Sequence, residues 1–375
     1  MALAVFLICA GFVVYAYALF PVWLHWRARH LPPLSAEPPE TWPTLSIVIA
    51  AHNEAKNLPG KCRSLEALDY PPEQVQWVIV SDGSTDDSDA VVAPWFDGRD
   101  DRVFHQYDTP KGKCGALNEG VARATGDIIL FMDARQPVSE NAARVLVPFL
   151  CDPQYGAATG ELILSDDTSL EAANFGLYWR YEKWIRDNES KLFSTTGVTG
   201  ALYAIRRADF TPNPVGTLLD DFDTPIGLLK DGKRTVFVPG AYAFDAASDD
   251  IHQEFRRKVR NLGGNWQSFM RHNWLFSPRK NPVWLQFVSH KLARLIVPWA
   301  LIGALLASAL GTGWFLNLAF WAQVAFYALA ACSYLDLGFA RSGVFNMAKV
   351  FVQLNAAAFV ATLRYFGSAK AISWR

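Results

Sequence analysis

Two long uncharged runs, one at each end of the chain, constrain what this sequence can fold into more than any other feature. From Ala2 to Leu24 there is no charged side chain. A helix needs about 20 apolar residues to cross a bilayer, so this run is long enough. No basic residue precedes it, and Arg27, Arg29 and His30 follow. The bias of basic residues toward the cytosol then places the N-terminus outside and the rest of the chain inside. A cleaved signal peptide would need a basic start and a shorter apolar core, so an uncleaved anchor over residues 1–26 is expected.

The second run, Leu295 to Leu335, is also uncharged. Gly311-Thr312-Gly313 lies inside it and reads as the turn of a helical hairpin, with Pro298 tolerated near the start of the first helix. Val350 to Leu363 is apolar but short, between Lys349 and Arg364. Runs of about 14 residues are ambiguous between crossing a membrane and lying on it. Keeping Arg341, Lys349, Arg364, Lys370 and Arg375 cytosolic favours lying on it. Ahead of the hairpin, Ile251, Phe255, Val259, Leu262, Trp266, Phe269 and Met270 recur at helical spacing. Arg256, Arg257, Lys258, Arg260 and Arg271 fall mostly between them. Over 250–290 this predicts an amphipathic basic segment at the lipid headgroups; a helix packed on protein has the same periodicity. Residues 291–375 form the C-terminal membrane region.

Between the ends lies a proline-rich linker, 27–43, and then an ordinary globular sequence, 44–249. The apolar share of the whole, 51%, is high because of the two ends. The net charge of −1 over 375 residues gives no support to nucleic-acid binding. Five scattered cysteines, Cys9, Cys62, Cys114, Cys151 and Cys332, form no CxxC pair, which speaks against a disulfide framework or a zinc site.

The middle alternates strand and helix. Leu45–Ala50, Trp77–Val80, Arg102–Phe104 and Ile128–Met132 read as strands. Glu54–Leu68, Asp86–Ala93 and Cys114–Ala124 read as helices, and Ser139 as the cap opening another. Such alternation implies an α/β fold with a mostly parallel sheet covered on both faces. Its ligands bind beyond the carboxyl ends of the strands. There the sequence concentrates polar residues: His52-Asn53-Glu54, Ser81-Asp82-Gly83-Ser84 and Asp133. Taken singly, an Asp after a strand is often a helix cap; three such clusters on one rim favour a site. Asp82, Ser84 and Asp86 are spaced like a calcium loop, but the Gly and Glu that loop requires are replaced by Asp87 and Ala93. Lys111-Gly112-Lys113 lacks the spacing of a P-loop.

In order along the chain stand Ile47-Val48-Ile49-Ala50-Ala51-His52-Asn53-Glu54, Val78 to Asp86, Lys111-Gly112-Lys113 with Ala116-Leu117-Asn118, Phe131-Met132-Asp133, and Leu219-Asp220-Asp221. Together these resemble the family 2 glycosyltransferases of the GT-A fold. Apolar helices at both ends resemble the membrane-bound synthase branch, with the hyaluronan, chitin and poly-N-acetylglucosamine synthases. The resemblance implies a nucleotide-sugar donor, with UDP favoured because acidic acceptors suit the uracil imide. It implies that His52, Glu54 and Asp82 line the base and ribose, and that Lys113 lies near the diphosphate. Asp133 matches the first acid of the family's DxD motif, but the second position is Arg135. Mg²⁺ or Mn²⁺ on Asp133 is the expectation, with Arg135 supplying part of the positive charge as its rival. Asp221, paired with Asp220, matches the catalytic base; a helix cap is the plain alternative.

The family's processive members carry QxxRW. Here the stretch is Arg257-Lys258-Val259-Arg260-Asn261, so Gln and Trp are replaced. Arg260 and the later Trp266 are the residues expected to meet the acceptor. Trp179, Tyr181 and Trp184, on a helix expected over Leu170–Ile185, can present rings to a sugar, though packing is the commoner use of such a cluster. The implied activity is inverting transfer to a polysaccharide, by an integral protein of a bacterial inner membrane with its catalytic domain cytosolic. A lipid acceptor, and a nucleotide-sugar-binding pseudoenzyme or membrane scaffold, are the alternatives.

Overall fold

The computed structural model describes residues 1–164, 170–245, 251–333 and 343–367. The chain divides into two compact units. One is Leu31–Ser165 with Arg186–Ala246 and Ser373–Arg375; the other is Met1–His30, Asp166–Ile185 and Ala247–Ile372.

The first unit is built on seven strands: β1 Leu45–Ala51, β2 Val75–Asp82, β3 Arg102–Tyr107, β4 Ile128–Asp133, β5 Tyr155–Leu164, β6 Leu202–Arg206 and β7 Arg234–Asp245. Their order is β3-β2-β1-β4-β6-β5-β7. The four on the β3 side run parallel, β6 runs antiparallel to both neighbours, and β5 pairs parallel with β7. The sheet is therefore mixed but mostly parallel, as expected.

The near-continuous apolar runs of β1, β2 and β4 arise because both faces are covered. Leu45, Ile47 and Ile49 pack into one layer with Leu58, Cys62 and Leu65 of the helix Leu58–Glu66. Val48 packs into the opposite layer with Ala116, Leu117 and Val121 of the helix Lys113–Arg123. Fully burying each such aliphatic side chain contributes roughly 1.5–3 kcal/mol. In register, Ala50 stands opposite both Val80 and Asp133, so the carboxyl ends of β2, β1 and β4 form one rim.

Several element boundaries differ from the expected ones. Helix begins at Leu58, not Glu54, because Asn53 takes φ 56° and turns the chain out of β1. The next helix is Ser88–Phe96 rather than Asp86–Ala93. Ser139 does not cap the following helix, Ala142–Cys151, whose capping position is Asn141. Ser139 instead pairs with β7: its Oγ accepts the Tyr242 N–H at 3.1 Å, and its own N–H donates to the Tyr242 carbonyl at 2.8 Å.

Among the described residues of the second unit, four helices are long and apolar enough to cross a membrane: Ala2–Ala28, Trp284–Leu310, Trp314–Cys332 and Phe345–Gly367. The first includes a π-helical turn at Tyr15–Leu19 and the second one at Phe287–Leu292. The hydroxyls of Tyr15 and Ser289 join these turns at 2.6 Å. The hairpin turn lies at Gly311-Thr312-Gly313, as expected. The last apolar stretch departs from expectation. It extends well beyond Val350–Leu363, so its length is no longer ambiguous and suffices to cross. Of the charges that argued for one, Arg341, Lys370 and Arg375 lie outside the described residues.

The basic amphipathic stretch does form a helix, Ile251–Arg271. Part of its apolar face packs on protein. Phe255, Val259 and Leu262 pack on Ala357, Val360 and Ala361, and the Trp266 indole N–H donates to Thr362 Oγ1 at 2.9 Å.

Candidate active site

Each side chain on the rim is placed by a strand end and held by the neighbouring strand. Asn53, with the left-handed backbone that asparagine tolerates, reaches across to the loop after β2. Its N–H donates to Ser84 Oγ at 3.0 Å and its Oδ1 accepts the Thr85 N–H at 2.8 Å. His52 Nδ1 lies 2.7 Å from the Asp82 carbonyl. A carbonyl can only accept, so that nitrogen carries the proton. The Glu54 carboxylate accepts from Asn57 Nδ2 at 2.5 Å.

Asp82 is completely buried. Its two carboxylate oxygens accept the N–H groups of Lys111 and Gly112, at 2.6 and 2.9 Å. The carboxylate expected at a base edge thus shapes the Lys111-Gly112-Lys113 loop. Gly83 permits the approach: it has φ +63°, and a Cβ there would lie 2.6 Å from Pro110 Cγ. Gly83→Ala is expected to displace this loop and to lower stability by roughly 1–3 kcal/mol, measurable by denaturant unfolding.

The loop delivers Lys113, first residue of its helix, to the middle of an acidic group. Lys113 Nζ lies 2.9 Å from Asp133 Oδ1 and 3.4 Å from Asp220 Oδ1. Burial acts to lower the lysine's pKa, but Asp133, Asp220 and Asp221 outweigh it and raise it, so the ammonium persists. Asp220 and Asp221 occupy the first turn of the helix Asp220–Lys230, and Leu219 holds the capping position without a side-chain cap bond. The pair is therefore not a helix cap. Asn118 fixes the approach to this turn: its Nδ2 donates to the Asn213 carbonyl at 2.7 Å and its Oδ1 accepts the Asn213 N–H at 3.0 Å. Burial, followed by the charge of Asp220, pushes Asp221 up to about 6. Asp220 is raised too, chiefly by burial, and its Oδ2 is buried with no hydrogen-bond partner.

Arg135 turns away from this group. Its Nη2 pairs with Asp245 Oδ2 at 2.6 Å, and Gln136 Nε2 donates to the same oxygen at 3.0 Å. This has a direct bearing on a metal. Asp133 and Asp220 converge on one point, and an ammonium fills it. The second DxD position is a guanidinium, and among the described residues no three His, Cys, Asp or Glu side chains are grouped to hold an ion. The donor set does not fit a resident divalent cation.

The structure thus brings together Lys113, Asp133, Asp220 and Asp221, with His52, Glu54 and Asp82 on neighbouring strand ends. Trp266 and Arg260, expected to meet the acceptor, belong to the other unit. The Trp266 ring packs on Phe269 and Phe366, and Arg260 bonds to the side chain of its neighbour Asn261. Three participants carried no sequence signal that isolated them. Gly200 flanks the site, where a Cβ would meet Asp221 Oδ2 at 3.5 Å and Lys113 Nζ at 3.6 Å. The charge of Arg186 opposes the upward shift of Asp221. Lys61, buried under the 134–138 loop, donates to the Gln136 carbonyl at 2.6 Å, and burial lowers it to about 7.

A mixed α/β sheet with acids at the carboxyl ends of its parallel strands, and an acidic pair opening a later helix, is the GT-A arrangement of nucleotide-diphospho-sugar transferases. Residues 46–211 match the model of glycosyl transferase family 2. An N-acetylglucosaminyltransferase of Mesorhizobium japonicum is 27% identical over 254 residues, 62% of this chain and 58% of that protein. A poly-beta-1,6-N-acetyl-D-glucosamine synthase of Staphylococcus epidermidis is 27% identical over 127 residues, 34% of this chain and 30% of that one. The chain thus spans little more than half of the first relative and under a third of the second. Among solved structures, the mannosyltransferase PcManGT from Pyrobaculum calidifontis, in complex with GDP-Man and Mn²⁺, superposes with a TM-score of 0.75 at 21% identity. That superposition covers 98% of this chain and 99% of the other, and shows the shared fold.

Proposed function

We propose that the chain is a membrane-bound inverting glycosyltransferase that moves a sugar from a UDP-sugar to a growing polysaccharide. The observation that carries this reading is the Asp220–Asp221 pair against Lys113 and Asp133. Inverting transfer is a displacement at the anomeric carbon. Asp221 takes the proton of an acceptor hydroxyl while its oxygen attacks, and the bond to the diphosphate breaks on the opposite side. An ordinary aspartate is a weak base; at about 6, Asp221 is a stronger one that is still ionised at neutral pH. Lys113 places a fixed positive charge beside the departing diphosphate. His52, Glu54 and Asp82 lie at the strand ends where the nucleoside binds, with Asp82 acting through the loop it holds.

The acceptor class is supported by the name of one relative, a poly-beta-1,6-N-acetyl-D-glucosamine synthase. The four apolar helices support an integral membrane protein, and the basic residues after the first support a cytosolic catalytic domain in a bacterial inner membrane. Measuring UDP release from a panel of UDP-sugars in membranes tests the reading, and product size separates a polymer from a singly glycosylated lipid. No release from any of them sinks it in favour of a binding protein without turnover.

The pH dependence has a definite sign. A general base works only when deprotonated, so kcat/KM should hold above pH 6 and fall about tenfold per unit below it. A profile flat down to pH 5 would show that Asp221 is not the base.

A further inference from the structure

We infer that Lys113 is a built-in cation that takes the place of a divalent metal, so that this chain binds the diphosphate of its donor without Mg²⁺ or Mn²⁺. The inference rests on the nucleotide-sugar reading above and goes beyond it. It begins from the point on which Asp133 and Asp220 converge, at 2.9 and 3.4 Å from the lysine nitrogen. Two carboxylates aimed at one point make a cation site, and the chain fills it with its own ammonium. That ammonium is tethered at the start of a helix, through a loop whose Lys111 and Gly112 N–H groups are fixed on Asp82. A dissolved ion would have to displace it.

Charge arithmetic points the same way. Where the DxD motif has a second acid, this chain has Arg135, a change of two positive units and the charge of one divalent ion. Arg135 itself is paired with Asp245, which leaves Lys113 as the cation on Asp133. The lysine also remains accessible to a ligand. Its side chain is 21% exposed and that of Asp133 is 34% exposed. An ammonium has three donors; two point to Asp133 and Asp220, and the third is left for a phosphate oxygen. Gly200 beside it adds no side chain to cover that approach.

The test is binding of UDP, and in parallel GDP, to the full chain in detergent, in excess EDTA and with added Mn²⁺. The wild-type affinity should be the same in both. Lys113→Ala should weaken binding in EDTA by at least about tenfold, while Lys113→Arg, which keeps the charge, should retain most of it. Thermal unfolding confirms that each variant is folded. Lys113→Ala combined with Arg135→Asp, which empties the cation point and restores the acidic pair, should make binding depend on Mn²⁺ and should broaden the Mn²⁺ paramagnetic resonance signal. Wild-type binding that is lost in EDTA and restored by Mn²⁺ overturns the inference and leaves the transferase reading standing. Binding of neither nucleotide under either condition overturns the transferase reading and the inference with it.

Discussion

Asp221→Asn is expected to lower turnover by roughly 10²–10⁴ while leaving UDP binding intact, and to make the protein more stable at neutral pH. The two effects have one cause. Burial and the neighbouring Asp220 charge push the Asp221 carboxyl up to about 6, so ionising it in the folded chain is unfavourable. An acid whose folded pKa is raised is disfavoured, in its charged form, at pH above that pKa. Below about pH 4 the group is protonated folded and unfolded alike, and the substitution removes no such cost. As pH rises through 6 the native chain bears the full penalty and the amide does not. The variant should therefore gain on the order of 1–3 kcal/mol at pH 8 and little at pH 4, by denaturant unfolding at the two pH values. Equal stability of the two proteins at pH 8 would refute the strained-base account, and unchanged turnover would refute the catalytic role.

Asp82→Asn tests the other half of the site. The carboxylate accepts two main-chain N–H groups, one on each oxygen. An amide of the same shape has one acceptor oxygen, so either Lys111 or Gly112 would face an NH₂ group. Leaving a buried donor without a partner costs about 1–3 kcal/mol. The loop that positions Lys113 should loosen, with faster hydrogen exchange at Lys111 and Gly112 and UDP binding at least about tenfold weaker. Undisturbed exchange at those two amides, with weaker UDP binding, would instead return Asp82 to direct contact with the base.

Much of this architecture was legible in local pattern. The runs at β1, β2 and β4 are apolar because both faces of the sheet are covered, and a run of that composition reads as buried strand in any setting. Polar residues just after those runs then had to lie along one rim. The partners of the rim residues were not legible. Arg135 reads as a neighbour of Asp133, yet its charge goes to Asp245, far along the chain. The bond from the Trp266 indole to Thr362 likewise joins residues far apart in the chain. The helix Ile251–Arg271 has the same period whether its apolar side faces lipid or protein, so the period did not show that Val259 packs on Ala357 and Ala361.

The uncharged runs at the two ends behave as their composition requires. Each forms helix long and apolar enough to cross a membrane, and the last apolar stretch joins them once its full length is seen. Sequence alone determined what depends on neighbours along the chain: apolar length, strand and helix period, and the acids at the strand ends. Tertiary structure alone decided which distant charges meet. Period and composition act through the local backbone, whereas an ion pair such as Lys113 with Asp133 and Asp220 forms only after β4 and two helices have packed. The placement of that one ammonium is settled by packing, which no local pattern carries.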